Sequence, residues 1–240
     1  PALPVGMGGA AGMEPRRGRR AWHALVGSLM TVGAVIVPDG VSEALADATG
    51  RAAVRRIVDS AWAGGALPII VVACDPDGHI AEVLDGSPAV VVEPGKASEV
   101  QTYQLGAETA VATVQETSAV LLWPGRMTWA DPETVTSLIE AHGRAPDEIT
   151  RPRRVGESGW PVLVPAARIE PLLSVPGGSL GAALAGAAAA TVELGDPGSV
   201  LGAEVPLDEL PDYAGPPEPV GGPPPEWGAA AAETPEPELG

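Results

Sequence analysis

The side chains best equipped for chemistry gather in one short stretch. Arg144, Arg151, Arg153 and Arg154 fall within eleven residues, and Gly156, Gly159 and Trp160 follow at once. Guanidinium forks pair with phosphate or carboxylate oxygens, and an indole face accepts a planar ring or a cation. Together they suit a small anionic planar ligand such as a nucleotide. The competing reading is structural: Trp160 packs under its loop while the arginines solvate an exposed edge. Arg126 stands apart, in a turn (Pro124–Trp129) that follows the apolar run Val120–Trp123. There it can pair with a phosphate or carboxylate, or serve as an ordinary surface turn residue. Three scattered His and the single Cys74 make no zinc site, and one cysteine excludes an intrachain disulfide. Cys74 ends the run Ile69–Ala73 and is expected to be a small buried hydrophobe.

Elements of alternating type must position these groups. Met30–Val37 reads as a strand stopped by Pro38-Asp39-Gly40. Val54, Ile57, Val58, Ala61 and Trp62 recur at helical spacing before Gly64-Gly65. Strand Ile69–Ala73, a turn at 75–78, a short helix around 80–84 and strand Ala89–Val92 come next. Val100, Tyr103, Ala107, Ala110, Val111 and Val114 form another helix face, followed by strand 119–123. Asp131 then suits an N-cap, Pro132 the first helical position and Glu133 the positive end of the dipole. That helix runs over 132–142, with His142 favoured by the dipole at its end and Gly143 closing it. A hairpin at 151–161 leads to a strand at 162–164, helices near 166–173 and 179–187, and a strand at 190–194. Short β and α segments in alternation, with strands of continuous Val, Ile and Leu, predict an α/β fold with a doubly wound, mainly parallel sheet. In such a sheet ligands bind beyond the carboxyl ends of the strands, so the loops at 38–50, 74–79, 93–99, 124–131 and 151–161 are the candidates.

The strand, turn and helix over 119–142, with Arg151-Pro152 and Gly159-Trp160-Pro161-Val162-Leu163 beyond, resemble the molybdenum-cofactor nucleotidyltransferases, the MobA-like NTP-transferase family. The family text there runs roughly G-D-M-P, T-P-E-T and R-P…G-H-P-V-L. The resemblance covers about residues 30–210 and implies a three-layer, nucleotide-diphospho-sugar transferase-like fold. It also implies transfer of a nucleotidyl group from CTP or GTP to a phosphorylated cofactor, with magnesium. Several positions depart from it. The phosphate loop, roughly L-A-G-G-x-S-x-R-M-G-x-x-K, corresponds to a shorter segment entered through Asp39 and Gly40, with no Lys or Arg before Arg51 and with the acids Glu43 and Asp47. A second alignment sets Ala10–Gly18 on that loop and makes 30–50 an insertion; strand quality favours the first. The family's metal-binding Asp falls on Arg126, and the carboxylates of its later D-x-D-T-P reduce to Glu204, a loose match. Trp160 replaces the usual His. The resemblance therefore implies a transferase of weak or no activity, with magnesium only if it is catalytic, or a non-catalytic binding or scaffold protein on the same fold.

Composition narrows the partners. The net charge is −17, so phosphate neutralisation over a nucleic-acid surface is disfavoured, whereas a few local cations can still hold a small triphosphate. Residues 1–29, with four Arg against one Glu and no sustained period, are expected to be a disordered basic extension. Residues 30–205 form the domain. Residues 206–240, with eight acids, no Lys or Arg and abundant Pro, are expected to be a disordered acidic tail. No apolar run reaches the ~20 residues a spanning helix needs. Arg16–Arg20 before an apolar run has the look of a secretory signal, but His23 interrupts it and no small-x-small site precedes Asp39, so a cytoplasmic location is expected.

Overall fold

The computed structural model describes residues 31–174, 178–202, 204–206 and 209. Residues 1–29, Met30 and nearly all of 206–240 lie outside this set, and with them both expected extensions. The elements run β1 (Thr31–Val37), α1 (Val41–Ala44), α2 (Ala53–Ala63), β2 (Ile69–Val72), α3 (His79–Val83), β3 (Ala89–Val92) and α4 (Glu99–Thr113). They continue through β4 (Thr117–Pro124), α5 (Pro132–Arg144), β5 (Ile149–Arg154), β6 (Glu157–Ser158), β7 (Val162–Pro165), α6 (Ala166–Leu173), α7 (Leu180–Ala185) and β8 (Ala189–Glu193), with a 3-10 turn at Pro197–Ser199.

The strands join one sheet in the order β3-β2-β1-β4-β7-β5-β6, with β8 beside β5. β3, β2, β1 and β4 are parallel; β7 is antiparallel to β4 and β5 antiparallel to β7, so β5 again points the same way as β4. The central strands are apolar along their length because both faces are covered. Ala34, Ile36, Ile69, Val71, Leu121 and Trp123 pack on one side with Val54, Ile57 and Val58 of α2 and Val135 and Leu138 of α5. Val35, Ile70, Val72, Val120 and Leu122 pack on the other with Val100, Tyr103 and Ala107 of α4 and with Ile169 and Leu172 of α6. The result is the expected three-layer, mainly parallel α/β fold. Among the described residues no helix is long and apolar enough to cross a membrane.

Helix starts follow local chemistry. The Asp131 carboxylate accepts from the Thr134 N–H at 2.8 Å, with Pro132 opening α5. Ser98 and Gln101 form a reciprocal capping box on α4. Four local expectations are corrected. Gly143 does not close α5, which continues through Arg144 to a cap at Ala145. Val41–Ala44 is a helical turn within the segment read as loop. Cys74 is exposed, because β2 ends at Val72 and the chain leaves the sheet before it. His142 is 2% exposed, turned inward to Ser118 of β4 rather than toward solvent at a charged helix end.

Candidate functional site

The parallel strands decide which loops meet. Val37 pairs with Pro124 in the β1–β4 ladder, and the Gly125 N–H extends it by donating to the Val37 carbonyl at 2.8 Å. The turn bearing Asp39 and Gly40 is thereby set beside the turn bearing Arg126. Leu122 pairs with Val162, and Thr150 with Leu163. The 152–161 hairpin therefore emerges at this same carboxyl end of the sheet. Three of the five candidate loops therefore lie at one end of the sheet, where an open α/β sheet offers its ligand site.

Arg126 is exposed at the tip of a rigid turn. The Met127 N–H donates to the Pro124 carbonyl at 3.0 Å, the Thr128 hydroxyl to the Gly125 carbonyl at 3.1 Å, and the Trp123 indole N–H to the Met127 carbonyl at 2.8 Å. Gly125 is required at the base: a Cβ there would lie 2.6 Å from Pro38 Cα and press on the Glu43 carboxylate. Asp39 and Gly40 are exposed. Gly40 has an extended backbone with open space around it, so nothing steric demands glycine and the segment makes no left-handed phosphate nest. Instead Glu43 folds back, its Oε1 accepting from the Asp39 N–H at 3.4 Å. Burial raises the Glu43 pKa and the Asp39 charge adds to this, while the Asp39 N–H and the Arg126 charge oppose it. Tyr103 of α4 lies buried beneath, its phenol held neutral by burial and by Glu99, with the fields of Arg126, Asp39 and Glu43 reaching it.

Gly202 and Val205 return to the same turn. The Trp129 indole N–H donates to the Val205 carbonyl at 2.7 Å, and a Cβ on Gly202 would lie 3.1 Å from the Arg126 carbonyl oxygen. Exposed Glu204 accepts from the Gly202 N–H at 3.2 Å. The tertiary structure thus brings Arg126, in the middle of the domain, together with Glu204 near its end. A divalent metal does not fit this arrangement. The positions that the resemblance gives to its ligands hold a guanidinium, a glycine and one carboxylate, and no group of three or more His, Cys, Asp or Glu side chains among the described residues can hold an ion.

The hairpin cations are engaged by the chain itself. The Arg151 guanidinium lies over the Trp160 ring, 5.4 Å from its centroid, and donates to the Gly159 carbonyl at 3.3 Å. Burial lowers the Arg151 pKa. Trp160 is half-buried and its backbone N–H donates to the Ser199 carbonyl at 2.7 Å. Gly159 is required there, since a Cβ would run into Ser199. Arg153 pairs with Glu193 at 3.4 Å, and the Arg154 Nε–H donates to the Gly195 carbonyl at 3.1 Å. Arg144 points elsewhere, to Glu140 on its own helix at 3.9 Å.

Sequence reasoning missed Asp196. Its carboxylate accepts from the Asp131 N–H at 3.1 Å, the Thr134 hydroxyl at 2.7 Å and the Gly198 N–H at 2.7 Å. Burial and the neighbouring Asp131 raise its pKa against those hydrogen bonds. It ties the Pro197–Ser199 turn to the start of α5, and so braces both the Arg126 turn and Trp160. Asp-Pro-Gly at 196–198 was legible as a turn; its long-range partners were not.

The model of the MobA-like NTP transferase domain matches residues 39–192. No curated protein matches the sequence. Among solved structures, a nucleotidyl transferase from Methanothermobacter thermautotroptrophicus superposes with a TM-score of 0.59 at 18% identity, over 70% of this chain and 88% of that one. Rv0371C from Mycobacterium tuberculosis, solved in complex with manganese, gives 0.54 at 18% identity over 69% and 89%. The 4-diphosphocytidyl-2C-methyl-D-erythritol synthase of Anaerococcus prevotii gives 0.56 at 14% identity over 72% and 91%. At these identities the likeness is one of fold.

Proposed function

The chain belongs to the MobA-like NTP transferase domain family, and from that premise we propose that it binds a nucleotide in the crevice between the Asp39–Gly40 turn, the Arg126 turn and the 152–161 hairpin, and transfers its nucleotidyl group weakly or not at all. The observation that carries this reading is Arg126, held in a hydrogen-bonded turn at the carboxyl end of β4 with an exposed guanidinium that makes no salt bridge among the described residues. A cation there attracts phosphate oxygens and disfavours the dication through which such a transfer would be assisted. Loss of metal assistance worth several kcal/mol slows a reaction about tenfold for each 1.4 kcal/mol. A cytoplasmic site of action, where nucleoside triphosphates are at hand, is part of the same reading.

A second reading is favoured by the hairpin. Arg151, Arg153 and Arg154 are all engaged by their own chain, which is what a scaffold or partner-binding protein on this fold would retain. A panel of CTP, GTP, ATP and a pterin, followed by intrinsic Trp fluorescence, separates the two, with a magnesium-dependent turnover assay alongside. Saturable binding of a nucleotide with negligible turnover is the expected result. Rapid turnover overturns the claim of lost catalysis, and silence across the panel leaves the scaffold.

A further inference from the structure

We propose that the crevice recognises the polyphosphate of its ligand without a divalent metal, the Arg126 guanidinium standing as the fixed cation in the ion's place. This rests on the nucleotide-binding reading above and deepens it. Three observations carry it. The Arg126 turn is pinned by the Met127 N–H, the Thr128 hydroxyl and the Trp123 indole, so the charge is presented from a pre-organised base rather than a mobile loop. The guanidinium has no salt bridge among the described residues, whereas Arg51, Arg55, Arg144 and Arg153 are each paired with a carboxylate. The nearby acids make no salt bridge to it among the described residues: Glu43, which feels its charge, accepts from the Asp39 N–H, and Glu204 from the Gly202 N–H. A dication entering here would meet that guanidinium at close range and find too few oxygens to replace its water. A phosphate group would meet a planar donor fork and pay no metal-binding cost.

The test is calorimetric titration of the full chain with CTP, GTP, ATP and inorganic tripolyphosphate, each in excess EDTA and again in millimolar MgCl₂. Binding in EDTA with an affinity unchanged by magnesium is expected. Arg126→Ala should weaken it by about ten- to a hundredfold, as loss of a charge-assisted hydrogen-bonding group does, with Arg126→Lys retaining part of it. Circular dichroism melts of both variants should match the wild type, because the side chain is exposed. Binding that requires magnesium overturns this proposal and leaves the nucleotide reading intact. Binding in EDTA that ignores Arg126→Ala overturns the role of Arg126. Absence of binding in both buffers overturns the proposal and the nucleotide reading together.

Discussion

At the scale of the residue, the contrast between Trp160 and Arg126 separates a packed group from a presented one. Trp160 is half-buried, bears the Arg151 guanidinium on its face and reaches both layers of the core. Removing it strips that packing and leaves the partly desolvated Arg151 over a void. Trp160→Ala should cost about 2 kcal/mol in chemical denaturation, roughly half of what a fully buried Trp loses. A stability change within error would mean that the ring is free to serve a ligand instead. Both readings of this residue were open in the sequence, since Gly-Trp-Pro says that a ring sits in a tight loop but not which side of it is covered. Arg126 is exposed, as a surface turn residue is, on a turn held by three hydrogen bonds.

At the scale of the element, the helices approach the sheet at distances set by single residues. Gly106 of α4 rests on Val35 and Val72, and a Cβ there would lie 2.8 Å from Val72 Cγ2 and closer still to Val35. Overpacking of this kind costs about 1–3 kcal/mol, while Ala gains up to about 1 kcal/mol of helix propensity over Gly. Gly106→Ala should therefore be net destabilising in urea unfolding, and a stabilised variant would show that α4 can lift off the sheet. The seat of α5 on β4 carries a titrating group. His142 Nε2 lies 3.1 Å from the Ser118 hydroxyl, and Nδ1 has no hydrogen-bond partner among the described residues. Burial lowers its pKa, against the field of Asp147. The unfolded chain takes up the proton near the ordinary value of about 6.5, and the folded chain resists it to lower pH. The stability this contributes is complete above that value and is lost as pH falls below it. In His142→Leu, where Ser118 keeps the Thr31 carbonyl as partner at 3.2 Å, the denaturation midpoint should fall less between pH 7 and pH 5 than in the wild type. Parallel pH profiles would show that His142 protonates freely in the fold.

At the scale of the whole molecule, the net charge of −17 and the pI near 4.4 set a background of self-repulsion. Local pairs relieve little of it, since the four salt bridges among the described residues are partly exposed and worth at most about 1 kcal/mol each. Screening should relieve more. Raising salt from about 0.01 M to about 0.15 M shortens the Debye length from about 30 Å to about 8 Å, and relief of about 1 kcal/mol would lift Tm by about 2–4 °C. A Tm that falls with added salt would show that favourable pairs outweigh the repulsion. Against the same background an exposed guanidinium such as that of Arg126 is a local attraction for an anion, as the proposal requires.

The order and type of the elements were written in the chain, because a strand covered on both faces must be apolar throughout and a helix on a sheet must be apolar on one face. Val32–Val37, Ile69–Val72 and Val120–Trp123 declare themselves by that rule, and Asp131-Pro132 declares a helix start by its own capping chemistry. What depended on contacts between distant residues was not written there. Cys74 is exposed and His142 buried, each against its local expectation, because burial belongs to the surface an element meets and not to the run it ends. Asp196 reaches α5 across 62 residues to Thr134, and Gly202 and Val205 return to the turn that begins at Pro124. No local pattern encodes such a meeting. It is decided when the sheet closes its layers, and only then do Arg126, Glu43 and Glu204 become neighbours at one end of the sheet.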